Sequence, residues 1–124
     1  MNEAIDRAVE QFRTLLTEQI ARTEKMERGA QAKNFAAMDK IVIGVAGGDG
    51  IGPIIMRETR RVMDALLKDE IASGRVEIRD IDGLTIENRL ALHQSVPADT
   101  LAAIKSCDVL LKGPTTTPKG GTME

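Results

Sequence analysis

The residues best suited to chemistry form one short run, Lys112, Gly113, Pro114, Thr115, Thr116, Thr117 and Pro118, followed by Lys119, Gly120 and Gly121. Three adjacent hydroxyls can each donate and accept a hydrogen bond, and a lysine adds a mobile cation. The two prolines restrict the backbone, which lowers the entropy lost when a ligand orders the loop. This is the composition of a binding loop at the end of a strand, where sites in α/β sheets concentrate. A plainer reading stands beside it: threonines between prolines are also ordinary loop residues, and Lys112 can carry its charge out of the end of a sheet.

A second candidate is the stretch Gly47, Gly48, Asp49, Gly50, Ile51, Gly52 and Pro53, placed between an apolar run and a helix. An anion or nucleotide could meet backbone N–H groups and a helix N-terminus there. The spacing excludes the dinucleotide fingerprint, which needs glycine where the chain has Pro53 or Ile55, and no Gly-Lys followed by Ser or Thr supplies a P-loop. Asp80 and Asp82 lie well beyond the spacing of about 20 residues expected of a ribose-binding acid. The stretch reads equally well as a tight strand-to-helix turn.

Other reactive side chains point to structure. His93 is the only histidine and lacks ligands at metal-binding spacing, so it reads as a helix-end residue. Cys107 is the only cysteine and reads as a small buried apolar group. Asp80, Asp82 and Asp108 are spaced for turns and strand ends rather than for a metal.

The elements that must hold these loops follow from periodicity. Residues 2 to 36 read as one long helix or a helical hairpin, with Ile5, Val9, Phe12, Leu16 and Ile20 on one stripe and Gly29 as a possible break. Such a stripe is expected to bury against other protein. The run from Ile41 to Ala46 is short, β-branched and closed by glycines, as a strand buried on both faces is. Pro53 opens a helix whose expected core stripe is Ile55, Thr59, Val62, Met63, Leu66 and Leu67, ending near Gly74. Val76 to Ile81 alternates apolar and charged residues, as a strand nearer an edge does. Thr85 caps a short helix, Pro97 and Asp99 start another with Leu101 and Ile104 inward, and residues 107–111 form a strand apolar enough for the middle of a sheet. Strand, helix, strand, helices, strand is the order of a mostly parallel α/β sheet, and three strands are few for one.

At 124 residues and 42% hydrophobic content the chain can bury a core. Seventeen basic and nineteen acidic residues, well mixed, with only two aromatic residues, give no surface for nucleic acid, and no run is apolar enough to cross a membrane. A lone thiol and the absence of a targeting pattern fit the cytoplasm.

Several motifs then appear in one order: Gly48 to Pro53 after the first strand, Asp82-Gly83-Leu84-Thr85-Ile86-Glu87-Asn88 after the second, Val96-Pro97, and Asp108 to Pro118. Together they resemble the isocitrate and isopropylmalate dehydrogenase family over residues 40 to 124, most closely its isocitrate branch, with the N-terminal helix outside the likeness. The resemblance implies a partial α/β fold of that family at residues 40–124, preceded by a helical extension at residues 1–39. It implies oxidative decarboxylation of a 2-hydroxy acid, with NAD or NADP taking the hydride and Mg²⁺ or Mn²⁺ stabilising the enolate left by loss of CO₂. It places Ile51, Lys112, Thr115, Thr116 and Thr117 at the cofactor, with Thr117 also beside the substrate carboxylate.

The same resemblance implies that parts are absent. The family's substrate-gripping serine, asparagine and arginines, its tyrosine acid, its lysine base and its metal-binding aspartates have no counterparts here. The 124-residue chain is therefore expected to be the inactive amino-terminal portion of an isocitrate dehydrogenase. The alternatives are the same portion of an isopropylmalate or related dehydrogenase, or a non-catalytic assembly or regulatory partner. A homo-oligomer is the expected association.

Overall fold

A computed structural model describes residues 2–29 and 32–120. The chain divides into two compact units, Met1–Asn34 and Phe35–Glu124. The first contains a helix, α1 (Asn2–Gly29), and residues 32–34 are not helical, so no single helix runs to residue 36. Ion pairs between Arg13 and Glu10 (3.2 Å) and between Arg28 and Glu24 (2.8 Å) lie on its wet surface. The stripe is present, but no residue of α1 is buried: Ile5, Val9, Phe12, Leu16 and Ile20 are all between 45% and 61% exposed.

The second unit, after a short 3₁₀ turn (Phe35–Ala37), runs β1 (Ile41–Ala46), α2 (Gly52–Leu66), α3 (Lys68–Ala72), β2 (Val76–Asp80), α4 (Ile86–Leu92), α5 (Ala98–Lys105) and β3 (Val109–Lys112). This is an α/β architecture with an open, wholly parallel sheet in the order β2-β1-β3. Ile43 stands opposite both Ile78 of β2 and Val109 of β3, so the three strands end together. The chain steps to one side of β1 and then crosses to the other. Right-handed crossovers therefore put α2 and α3 on one face and α4 and α5 on the opposite face.

The best-buried cluster lies on one side of β1, where Ala46, Ile81, Leu84 and Cys107 meet Val42, Ala103 and Ile104. Gly44 belongs to this face, and its missing side chain is what admits Cys107: a Cβ there would stand 2.9 Å from Sγ. Cys107 is thus the buried apolar group its setting suggested, its thiol donating to the carbonyl of Ala103 (3.4 Å). Asp108 anchors the start of β3 by accepting the N–H of Val42 (2.8 Å). Asp82 serves through its carbonyl, which accepts from the Thr100 hydroxyl (3.1 Å). Among the described residues no group of acids, cysteine or histidine could hold a metal ion.

Three expectations about buried faces need correction. In α2 the inward line is Gly52, Met56, Thr59, Met63 and then Leu67, whereas Ile55, Val62 and Leu66 are exposed. The helix also breaks at Leu67, so the next turn starts as α3 at Lys68. In α5, Thr100, Ala103 and Ile104 turn inward while Leu101 is exposed. Finally, β3 is an edge strand among the described residues, with Val109 and Leu110 exposed on alternate sides.

The β2 edge is guarded differently. Lys40 and Arg79 both pair with Glu77, holding its carboxyl below the usual carboxylate range, and Arg60 reaches Asp80 (3.4 Å). Charges of this kind discourage a further strand, and β3 carries none until Lys112.

Ile81 is 5% exposed at the centre of the core cluster. Replacing it with alanine is expected to cost about 3 kcal/mol of unfolding free energy, read from the midpoint shift in urea denaturation.

Candidate functional site

Three loops leave the carboxyl ends of the strands: residues 47–51 after β1, 81–85 after β2 and 113–118 after β3. The first and third are joined at backbone level. Asp49 N–H donates to the carbonyl of Pro114 (2.7 Å), and Gly113 N–H donates to the carbonyl of Ala46 (2.8 Å). Glycine is required on both sides of this joint. A Cβ on Gly48, whose φ is +75°, would overlap the Pro114 carbonyl, and one on Gly113 would overlap that of Gly47. Gly52 is equally confined by the Gly47 carbonyl.

Asp49 ties in the second loop. Its Oδ1 accepts the N–H of Ile86 (2.8 Å), the first residue of α4, and its Oδ2 accepts the N–H of Thr116 (2.8 Å). Arg89, from the next turn of α4, places Nη2 against both Oδ2 of Asp49 (3.4 Å) and the carbonyl of Thr116 (2.6 Å). The two charged side chains are each 8% exposed. Their pairing is therefore little screened by solvent, and removing either partner would leave the other charge buried. Nε of Arg89 is buried too and has no partner among the described residues, and both contacts are made by Nη2.

The Asp49 carboxyl is held below its ordinary value of 3.8. The largest cause is the Thr116 N–H; burial opposes it, and the Ile86 N–H and the Arg89 charge add to it. These groups all favour the ionised form.

The remaining pieces fix α4. Thr85 caps it by accepting from Asn88 N–H (3.4 Å), and Asn88 in turn donates to the Gly83 carbonyl (2.9 Å). Gly83 has φ +97° and sits so close to Thr100 that a Cβ would overlap the hydroxyl. His93 ends α4 in the left-handed conformation, exposed, as a helix-end residue.

The proposed site residues are arranged around this joint. Lys112 does not reach outward: Nζ folds back to the Gly113 carbonyl (2.9 Å) and the Thr115 hydroxyl (3.2 Å). Thr116 is exposed, with its N–H engaged by Asp49 and its carbonyl by Arg89. Thr117 is exposed, and Ile51, 62% exposed, stands at the start of α2. Lys119 and Gly120 are exposed, and Gly121 lies outside the described residues. Two N–H groups of the glycine loop are already engaged, Asp49 N–H by Pro114 and Gly52 N–H by the carbonyl of Asp49.

Asp49 spans the gap between the loops that follow β1 and β2 by accepting from the first N–H of α4. Sequence reasoning passed over Asp49 and Arg89. The available signal was an acid between two glycines.

A family profile described as isocitrate/isopropylmalate dehydrogenase matches residues 42–124. The chain is 34% identical over 77 residues to 3-isopropylmalate dehydrogenase of Aliivibrio fischeri, covering 62% of this chain and 20% of that protein. It is 34% identical over 83 residues to isocitrate dehydrogenase [NADP] of Caldococcus noboribetus, covering 67% and 19%. For isocitrate dehydrogenase [NADP] of Staphylococcus aureus the figures are 31% over 102 residues, 79% and 23%. That last match is too long to fit within residues 40–124, so the likeness takes in part of the preceding segment as well. The chain thus spans about a fifth of the length of these curated relatives. No solved structure matches it significantly.

Two measurements test the joint. Gly48→Ala is expected to destabilise the unit by at least about 3 kcal/mol through overlap with fixed backbone, whereas Gly50→Ala, where a Cβ meets open space, costs about 1 kcal/mol for its positive φ. A carboxyl with a lowered folded value stabilises above its unfolded value and loses that contribution as pH falls. The stability gap between wild type and Asp49→Asn should therefore be full at pH 6 and shrink as pH drops below 3.8, followed by urea denaturation at each pH.

Proposed function

Because the chain belongs to the isocitrate/isopropylmalate dehydrogenase family, we propose that it is the amino-terminal portion of a metal-dependent, NAD(P)-linked dehydrogenase that oxidatively decarboxylates a 2-hydroxy acid, isocitrate being the first candidate. The observation that carries this reading is the joint itself. A hydroxyl-rich loop is held at the carboxyl ends of parallel strands, in the matched region, by groups that leave its side chains facing out.

In this reading residues 115–117 and Ile51 form one wall of a cofactor site. The Thr115 hydroxyl, oriented by Lys112, and the Thr116 and Thr117 hydroxyls offer hydrogen bonds to ribose and amide groups, while Ile51 offers an apolar surface to a flat ring. The nicotinamide, when bound, supplies the hydride acceptor. Thr117 also faces the substrate carboxylate. The residues fit half of a cofactor site and do not fit a metal site, since no suitable cluster exists among the described residues. No metal step is therefore assigned to this chain, and the isolated chain is read as catalytically incomplete.

Relatives named for isocitrate and for isopropylmalate match at the same identity, 34%. The preference for isocitrate rests on Lys112 and the run of three threonines, with the isopropylmalate class as the second reading. A cytoplasmic homo-oligomer is the proposed setting. Among the described residues no helix is long and apolar enough to cross a membrane.

The pure 124-residue chain with isocitrate or isopropylmalate, Mn²⁺ and either nicotinamide cofactor is expected to give no reduced cofactor at 340 nm; turnover would overturn the incompleteness. Titration with NADP⁺ or NAD⁺ should move the amide resonances of Thr115, Thr117 and Ile51 and leave those of Val76 and Glu77, at the opposite end of the sheet, still. Undisturbed loop resonances at millimolar cofactor would remove the cofactor assignment.

A further inference from the structure

Thr116 is gripped from both sides. Its N–H points to Oδ2 of Asp49 and its carbonyl to Nη2 of Arg89, and those two atoms pair with each other (3.4 Å). With both backbone polar groups drawn inward, the torsions on either side of its Cα are fixed, and the side chain has only the outward direction left; Thr116 is accordingly exposed. The neighbouring Thr115 hydroxyl is held by Lys112 (3.2 Å). The carboxylate also receives the first N–H of α4, where a helix N-terminus favours negative charge.

We infer that Asp49 and Arg89 are positioning residues: they set the shape of the 115–117 loop before any ligand arrives and make that shape depend on α4. Resting on the cofactor reading above, this removes the ordering cost that a free loop of three threonines would impose on binding. A buried ion pair often does no better than an apolar replacement of equal size, so holding one loop conformation gives this pair a role beyond net stability.

The arrangement uses both carboxylate oxygens. Asparagine could turn its amide oxygen to the Thr116 N–H and keep that bond, whereas alanine removes both acceptors. Asp49→Ala should therefore release Thr116 without touching the core. Thr85→Ala is the contrasting variant, since it removes only the Asn88 cap and frays α4 locally.

The test is amide hydrogen exchange on the 124-residue chain, read residue by residue by NMR. In the wild type the Thr116 amide is expected to exchange at least tenfold more slowly than an unstructured peptide. In Asp49→Ala that protection is lost while Val45 and Gly113, bonded in the sheet and at the Ala46 carbonyl, keep theirs. In Thr85→Ala, Asn88 loses protection and Thr116 retains it. Equal Thr116 protection in Asp49→Ala and wild type, or equal loss in both variants, would overturn the inference. Should Asp49→Ala not fold, Arg89→Met takes its place, with at least a threefold loss expected at Thr116 and no change counting against the pair. A cofactor titration that fails leaves these rates readable, so the positioning role and the cofactor reading fail separately.

Discussion

One carboxylate organises the functional end of this molecule. Asp49 sits on a loop with glycine on each side and collects a donor from each of three directions: the start of α4, the threonine loop and the Arg89 guanidinium. A neutral side chain could answer one or two of these. Only an ionised carboxylate offers acceptor sites to all of them at once, and the low exposure of the pair keeps water from competing. The glycines are the condition for this arrangement, because the backbone of the first loop must approach that of the third to within hydrogen-bonding distance, 2.7 Å at Asp49 and Pro114.

The sheet beneath explains why three loops can be tied by one residue. Parallel strands that end in register deliver their loops to the same level, and the order β2-β1-β3 puts the glycine loop in the middle. The missing side chain of Gly44 lets Cys107 sit close under β1, and Cys107 leads directly into β3. Core and site are thus consecutive features of the same strands rather than separate regions.

Much of this was legible in the sequence. The three strands, the Thr85 cap and the burial of Cys107 all follow from local patterns, since each depends on residues within a turn or two of chain. The failures share a cause. The exposed faces of α2 and α5 were misjudged because apolar residues surround these helices: Ile54, Ile55, Val62 and Leu66 are as apolar as Met56 and Met63, and only the sheet decides which of them it covers. β3 reads as a central strand because its side chains are apolar, yet it borders only β1 among the described residues. Asp49 and Arg89 are 40 positions apart, and nothing local marks them as partners. The threonine loop could be singled out by composition; the device that holds it could not.

Gly48, Gly52 and Gly113 have one more implication. Where main chain rests on main chain, the separation of the first and third loops is set by atoms that every amino acid shares, beneath the side chains that tie the loops together. Rim positions such as Ile51, Lys112 and Thr117 can then change identity without altering the gap between the loops. A scaffold of this sort lets ligand preference drift by single substitutions at the rim while the spacing of the walls is inherited intact.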